Sequence, residues 1–598
     1  MAEMEVPPWD ADFERILRVE IGDIGTPMSM SMSLSAAGLT SLGYLRLGTA
    51  LADHYGVSLR AFTERAFESP ASLWSVVATR ETPSHDRHPD VAITGTDTTG
   101  GGGGGATLAE RFLATSRAHP TAPCITVGTT TISYARMASD AAALSTSIPS
   151  GATVAVLGDR DVPMFRAYLA VLLAGSAVVP MSLQVPPHRN AIIAATAAVA
   201  CVVYTGQVAD PDGQLSTISA AVPDAAIMYA DNARAHPTQD EIVEGGKPRP
   251  RTQSDIAYII FTSGTTGTPK GVPIRHAHVG AFLDATAPRY DVGVGDVFSQ
   301  SHAPTFDLSV FEIWGAWSTG AELRVLTGLE ALTPTRTIPE FGITVFTATP
   351  SLLVTAIAAG EVAPASMPDL KYLVFCGESL PTAVVAAAQS AAPNTVIDNA
   401  YGPTETTVWA TVHRYLPSDH VLPEGFAPIG TAHGQMQTEV RGGELWLAGP
   451  QVFTGYLGGG NDVLVTDTEG VQWYRTGDIV AKSRDGLVHR GRRDRQLKIN
   501  GYRIEPGDVE SAAVEAFEAR AIAFAFSDGG GWGLAVESAQ IDPVAARAVL
   551  ARRLPHYLVP DIIAGLPSFP HTAHGKVDAA ALSDILQAQR TGIDEVRG

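Results

Sequence analysis

Cysteine is scarce in this chain. There are three in 598 residues, Cys124, Cys201 and Cys376, far apart and odd in number. They build no disulfide framework and have no metal-ligand spacing, which suits a reduced, cytoplasmic setting. Basic residues are short as well, with 41 Lys and Arg against 62 Asp and Glu and a formal charge of -21. A surface that follows a phosphodiester backbone needs an excess of Lys and Arg, so the balance argues against nucleic acid as a partner. Long apolar runs are missing. The most apolar stretch, Tyr168 to Pro180, is too short to span a bilayer and is broken by Gly175 and Pro180. It reads as a buried helix feeding a strand. The opening residues have neither a basic n-region nor an apolar core, so no signal peptide is expected.

What remains is globular: 45% hydrophobic and 17% charged residues, enough for two to four domains. Asp12 to Ile21 has helical periodicity. Leu42 to Tyr55 forms a second helix candidate, with Leu42, Leu45, Thr49 and Ala52 on one face and Leu47 and Leu51 on another, stopped by Gly56. A polar, proline-containing segment and six consecutive glycines, Gly100 to Gly105, follow. No strand precedes the glycines, so they read as flexible coil spanning roughly 12–15 Å, and the flanking domains are expected to move independently. From Ala106 to about Arg493 strand and helix signals alternate, with buried-strand candidates at Thr153–Gly158, Cys201–Tyr204 and Ile343–Thr347. Beyond lies a compact tail with its own strand, Ala521–Phe526.

The most informative segment is Phe261-Thr-Ser-Gly-Thr-Thr-Gly-Thr-Pro-Lys270-Gly271, entered from the apolar run Ile256–Phe261. A loop of glycines and hydroxyls after a buried strand can turn backbone N–H groups toward phosphate oxygens, with hydroxyls and an ammonium as further donors. It is not a Walker loop, because Pro269 precedes the lysine and Gly271 follows it where Ser or Thr would hold magnesium. The string resembles the phosphate loop of the adenylate-forming superfamily: acyl-CoA synthetases, luciferases and the adenylation domains of nonribosomal peptide synthetases. Further blocks carry the resemblance in the family's order from about Leu108 to Leu582. They are Ile132–Met137, Leu173–Pro180, Asn399-Ala-Tyr-Gly-Pro-Thr-Glu-Thr406, Tyr474-Arg-Thr-Gly-Asp478, Gly491–Gly501 and Gly575-Lys-Val-Asp578. Ser182 departs from the family's frequent Asp.

The resemblance implies a multidomain chain. A carrier-type all-α four-helix bundle would occupy 1–82, a flexible linker 83–105, a large α/β adenylation core 106–493, and a small mobile α+β subdomain 494–598. It implies ATP held by Thr262, Ser263, Thr265, Thr266, Lys270, Tyr401, Thr404, Asp478 and Arg492, with Mg²⁺ on Glu405. Tyr401 would stack on adenine and Asp478 accept from the ribose hydroxyls. Lys576 would bridge the carboxylate and the α-phosphate, offsetting the charge that develops there. Asp494 would be the hinge, and Lys498 would lie on the face used for thioester formation. His571 and His574 lack further ligands and are assigned no metal.

Gly38-Leu-Thr-Ser41-Leu42 precedes the second helix, where a Ser commonly caps a helix. The helical domain resembles an acyl or peptidyl carrier protein, which makes Ser41 the expected attachment point for 4'-phosphopantetheine. Thr40 departs from the usual Asp, His or Asn. Asp307, in Phe306-Asp-Leu-Ser-Val-Phe-Glu312, falls where amino-acid-activating members pair an aspartate with the substrate ammonium. The carried-over pocket is Leu308, Phe311, Thr347, Val374, Cys376, Ala400, Val408 and Trp409, uncharged and bulky. It implies a small or mid-sized neutral amino acid, and a likeness to D-alanine–carrier ligases around Cys376 favours an alanine-sized one, with Val, Thr, Cys and Gly behind. The implied partners are a phosphopantetheinyl transferase, downstream condensation or carrier domains and a small MbtH-like activator, in natural-product (antibiotic) biosynthesis. Two alternatives stay open: an acyl- or aryl-CoA synthetase with a fused helical domain, and an inactive docking scaffold.

Overall fold

The computed structural model describes residues 9–21, 30, 34, 39, 41–62, 64–67, 69–79, 105–206, 210, 213–230, 252–263, 269–416, 425–459, 462–499, 501–526, 531–570, 577–578 and 581–588. Thr265, Thr266, His571, His574, Lys576 and the glycines before Gly105 lie outside them, as do the side chains of Ser41 and Leu42.

The first unit is helical. α1 spans Ala11–Ile21, and Asp10 caps it by accepting from the Phe13 N–H at 2.9 Å. Phe13, Ile16, Leu17 and Ile21 recur at helical spacing and are buried. α2 runs Ser41–Tyr55, and Leu45, Leu47, Leu51 and Ala52 are all buried, so this helix is covered on more than one face. α3 spans Pro70–Thr79. Among the described residues these three helices and two 3₁₀ turns, Leu59–Ala61 and Glu64–Phe67, make one apolar cluster.

That cluster does not close on itself. Leu329, from the helix Gly328–Leu332 of the central region, is 4% exposed and belongs to it. A side chain at Gly48 of α2 would come within 2.6 Å of the Leu329 Cδ2, so the glycine lets the two helices meet. Arg336 bonds Asp53 at 3.2 Å at the edge. The helical unit and the central region meet at this contact, because the helical unit leaves an apolar face that Leu329 fills.

The central region contains two sheets with parallel cores. The nine-stranded sheet has the spatial order Thr431–Ala432, Thr411–Tyr415, Val396–Tyr401, Tyr372–Phe375, Val345–Ala348, Val297–Gln300, Glu322–Val325, Pro123–Val127, Thr130–Ser133, parallel from Val396–Tyr401 to Pro123–Val127. The six-stranded sheet runs Ala226–Tyr229, Cys201–Tyr204, Thr153–Gly158, Ala177–Ser182, Ile256–Thr262, Lys270–Arg275. These strands are apolar runs because helices cover both faces. The apolar stretch at Tyr168 ends the helix Val162–Leu173 and feeds the strand Ala177–Ser182. The third expected strand starts two residues late, at Val345. The strands Ile256–Thr262 and Lys270–Arg275 pair antiparallel, so the phosphate loop joins a hairpin rather than a strand to a helix.

A five-stranded antiparallel sheet follows, holding Gln472–Ser483 and Gly486–Arg492. The C-terminal part has a two-stranded hairpin, Leu497–Ile499 with Tyr502–Ile504, and a three-stranded sheet around Trp532–Val536 with its own core.

Candidate active site

In an open α/β sheet, ligands gather outside the carboxyl ends of the parallel strands. Here that edge carries Ala400 and Tyr401 on one strand, Cys376 just past the next, Thr347 on the third, and Ser301-His302 after the fourth. The chain then turns and enters the helix Leu308–Thr319, with Asp307 at its N-cap. The sheet thus collects residues distant in sequence along one line.

Asp307 is 5% exposed and caps its helix with no side-chain bond. Burial pushes its carboxyl up to about 6; the Thr404 hydroxyl, Lys498 and His302 oppose this, while Glu405 adds to it. Among the described residues no cation lies within ion-pair distance of it. Leu308, Phe311, Thr347, Val374, Cys376, Ala400, Val408 and Trp409 are all buried. The Phe311 and Trp409 rings pack at 4.7 Å, and Phe282 backs Trp409 at 4.8 Å, so aromatic volume closes the pocket. The Thr347 Oγ1 and Trp409 Nε1 are buried without a hydrogen-bond partner among the described residues. Burial, with Asp307 adding, pushes the Cys376 thiol up to about 12, so it stays neutral and lines the pocket rather than acting as a nucleophile.

Tyr401 donates to the Asp478 Oδ2 at 2.5 Å. Asp478 also faces the Arg492 Nη1 at 2.7 Å and the His489 Nε2 at 3.2 Å. Burial works to raise its carboxyl, but His489, Lys498 and Arg492 outweigh that and hold it well below the usual range. Arg492 grips Asp494 with two bonds, at 2.7 and 2.9 Å, joining the expected ribose contact to the expected hinge. The Lys498 ammonium sits 5.2 Å from the Tyr401 ring centre.

The C-terminal hairpin is docked into this site. The Gly501 N–H donates to the Glu378 Oε1 at 2.8 Å, and Glu378 also accepts from the Ser351 N–H at 2.9 Å. Gly377 and Gly501 meet backbone to backbone, both with positive φ; a Cβ on Gly501 would stand 2.4 Å from the Thr349 Cγ2. Arg503 bonds the wholly buried Glu405 at 2.8 and 3.1 Å, and Tyr456 donates to the same carboxylate at 2.5 Å. Burial favours the neutral acid, yet Arg503 and Tyr456 more than offset it and keep Glu405 below the ordinary range. The Ser263 hydroxyl donates to the Arg503 carbonyl at 2.6 Å, and the Lys270 ammonium lies 5.4 Å from the Tyr456 ring centre. Thr262 pairs with Lys270 across the hairpin.

The structure therefore brings together Asp307, the eight pocket residues, Tyr401, Thr404, Glu405, Asp478, Arg492, Asp494, Lys498, Ser263 and Lys270. Sequence reasoning missed Arg503, Tyr456, Glu378 and His489. Arg503 lies just beyond the block ending at Gly501 and Glu378 two residues after Cys376, and both could have been found there; Tyr456 and His489 carry no local signal. Glu405 is a hard-oxygen carboxylate of the kind that would hold Mg²⁺; here it is bonded by Arg503 and Tyr456, while the Thr404 hydroxyl bonds Asp307. No cluster of three or more His, Cys, Asp or Glu exists among the described residues.

This fold and this site are those of an ATP-dependent adenylate-forming enzyme. The chain belongs to the family of AMP-binding enzymes, whose model matches residues 112–457. It is similar to an isonitrile lipopeptide synthase of Mycobacterium tuberculosis, 35% identical over 72% of this chain but only 17% of that protein's length. It is also similar to a D-alanine–D-alanyl carrier protein ligase of Lacticaseibacillus rhamnosus, 28% identical over 78% of this chain and 96% of the ligase. In fold it resembles the Vibrio cholerae adenylation domain AlmE solved with glycyl-adenosine-5'-phosphate, at TM-score 0.68 and 24% identity, covering 84% of this chain and all of that one. No helix among the described residues is long and apolar enough to cross a membrane.

Proposed function

We propose that this enzyme activates a small neutral amino acid, alanine-like in size, as its aminoacyl-AMP and passes it to a phosphopantetheine thiol. The observation that carries the reading is Asp307, a carboxylate buried beside an uncharged pocket, with no cation within ion-pair distance among the described residues. Such a group is costly unless a ligand supplies the charge. An α-ammonium does so; a fatty or aryl acid does not. The volume taken by Phe311 and Trp409 and the similarity to a D-alanine ligase favour alanine over larger residues.

In this reading ATP lies along Tyr401, Asp478, Arg492 and the loop Thr262 to Lys270, including Thr265 and Thr266. Mg²⁺, when bound at Glu405, neutralises triphosphate charge. Lys576 steadies the meeting of carboxylate and α-phosphate. The docked hairpin, with Lys498 near Asp307 and Arg503 on Glu405, suits the later thioester step, and rotation about Asp494 exchanges it for Lys576. Ser41, at the start of α2, carries the phosphopantetheine and is loaded by this domain or by another enzyme.

Amino-acid-dependent pyrophosphate exchange tests the first half. Absence of exchange with every proteinogenic amino acid and D-alanine overturns it. Intact-mass measurement of pantetheinylated protein, wild type against Ser41→Ala, tests the acceptor.

A further inference from the structure

One buried ionisable pair at this site has no part in the chemistry above. Glu312 lies inside the helix Leu308–Thr319 and is wholly buried. Its carboxyl is surrounded by donors: the Ser301 N–H at 3.2 Å, the Ser301 hydroxyl at 3.1 Å, the His302 N–H at 3.3 Å, the Gln300 amide at 3.3 Å and the His302 Nδ1 at 2.7 Å. Backbone and amide N–H groups can only donate, so Glu312 acts as the acceptor. Nδ1 then carries the hydrogen, which leaves the lone pair of the neutral ring on Nε2.

Nε2 has no hydrogen-bond partner among the described residues, and the ring keeps 10% exposure. The ring stands 5.6 Å from Phe306, and Phe306 meets Tyr502 of the docked hairpin at 5.7 Å. His302 is close enough to Asp307 to act on its carboxyl electrostatically when protonated. The imidazole thus lies beside the acyl pocket, on the side where the hairpin docks.

Attack of a carboxylate on phosphorus transfers no proton, so adenylation does not call for this group. Thioester formation does, because the thiol must lose its hydrogen. We propose that the His302 Nε2 takes the proton from the incoming thiol, with Glu312 as the positioning residue that fixes its tautomer and stabilises the ring once charged. The sulfur–carbon bond forms and the bond from the carbonyl carbon to the AMP oxygen breaks, its electron pair leaving on the phosphate. The proton moves from sulfur to Nε2 and on to solvent; nothing is oxidised or reduced. This inference rests on the proposed transfer to a thiol.

The test separates the two half-reactions in the full chain, with alanine, ATP and pantetheine as the thiol probe. His302→Asn retains a donor toward Glu312 and deletes Nε2. Thioester formation is expected to fall on the order of 100-fold more than pyrophosphate exchange, the usual scale of a general base. The pH dependence of thioester formation should change relative to that of pyrophosphate exchange. Titration of Asp307 appears in both half-reactions and cancels in their ratio; Lys498 and Glu312 are the other charges nearby. Equal loss in both half-reactions means a structural role and overturns the inference, as does an unchanged thioester rate and pH profile. If the variant does not fold, wild-type enzyme is compared with ethanethiol and the more acidic trifluoroethanethiol. A thiol that is already ionised should flatten the pH profile, and identical profiles overturn the proposal. Exchange without any thioester in the wild type defeats the thiol transfer and this inference while leaving adenylation intact; no exchange at all defeats the proposed function itself.

Discussion

Replacing Asp307 with Asn is expected to move stability and activity in opposite directions. Burial lifts the Asp307 carboxyl from an ordinary 3.8 to about 6. The folded protein therefore binds its proton more tightly than the unfolded chain. Between these values stability falls as pH rises, and above pH 6 the full cost is present. At about 1.36 kcal/mol per pH unit, that cost is on the order of 3 kcal/mol. Asparagine cannot ionise, so at pH 7.5 Asp307→Asn should gain up to about 3 kcal/mol, and near pH 4 it should match the wild type. Activity goes the other way. An ammonium buried without its carboxylate loses about 3–5 kcal/mol, or roughly 150- to 5,000-fold in kcat/KM. The assays are urea unfolding at pH 4 and 7.5 and alanine-dependent pyrophosphate exchange. In the wild type the KM for the amino acid should also rise as pH falls below about 6. The reasoning is refuted if Asp307→Asn is less stable at pH 7.5, or if it keeps exchange within tenfold.

Arg503→Met removes the cation on buried Glu405. Breaking such a pair costs at most about 3–5 kcal/mol, and release of the hairpin relieves part of it. Amide hydrogen exchange at residues 497–504 should therefore speed up; unchanged protection would count against the latch. Leu329→Asp puts a charge into the cluster shared with α2, so the helical unit should leave the core. Small-angle scattering should report an increased radius of gyration. His278 and His433 are pushed down to about 4, chiefly by burial. Their ordinary value is 6.5, so the unfolded chain takes up protons first and stability is lost as pH falls from about 6.5 to 4. Each contributes up to about 3 kcal/mol, and His433→Gln should flatten the pH dependence of the urea midpoint.

Much of the site was legible because its chemistry is written in short blocks. The phosphate loop, Tyr401 to Glu405 and Asp478 are contiguous strings whose residue types match one task. The buried strands were legible too, since apolar runs such as Thr153–Gly158 suit sheets covered on both faces. Glu312 was quoted as part of a block, yet nothing in the sequence pairs it with His302. The side chains meet because a strand end and a helix face pack together. Arg503 lies just past the block that ends at Gly501, and only docking of the hairpin puts it on Glu405.

By itself the sequence determined the family, through short blocks such as the glycine- and hydroxyl-rich loop after a buried strand, and the apolar runs that form the sheets. These depend on residue type and local spacing, which one-dimensional order preserves. The tertiary structure alone decided which face of the C-terminal part meets the pocket, which charge neutralises Glu405, and where the helical unit sits. Those depend on surfaces built from segments far apart in the chain. The contacts of Gly48 with Leu329 and of Gly501 with Thr349 exist only once the backbones are close enough that a Cβ would collide.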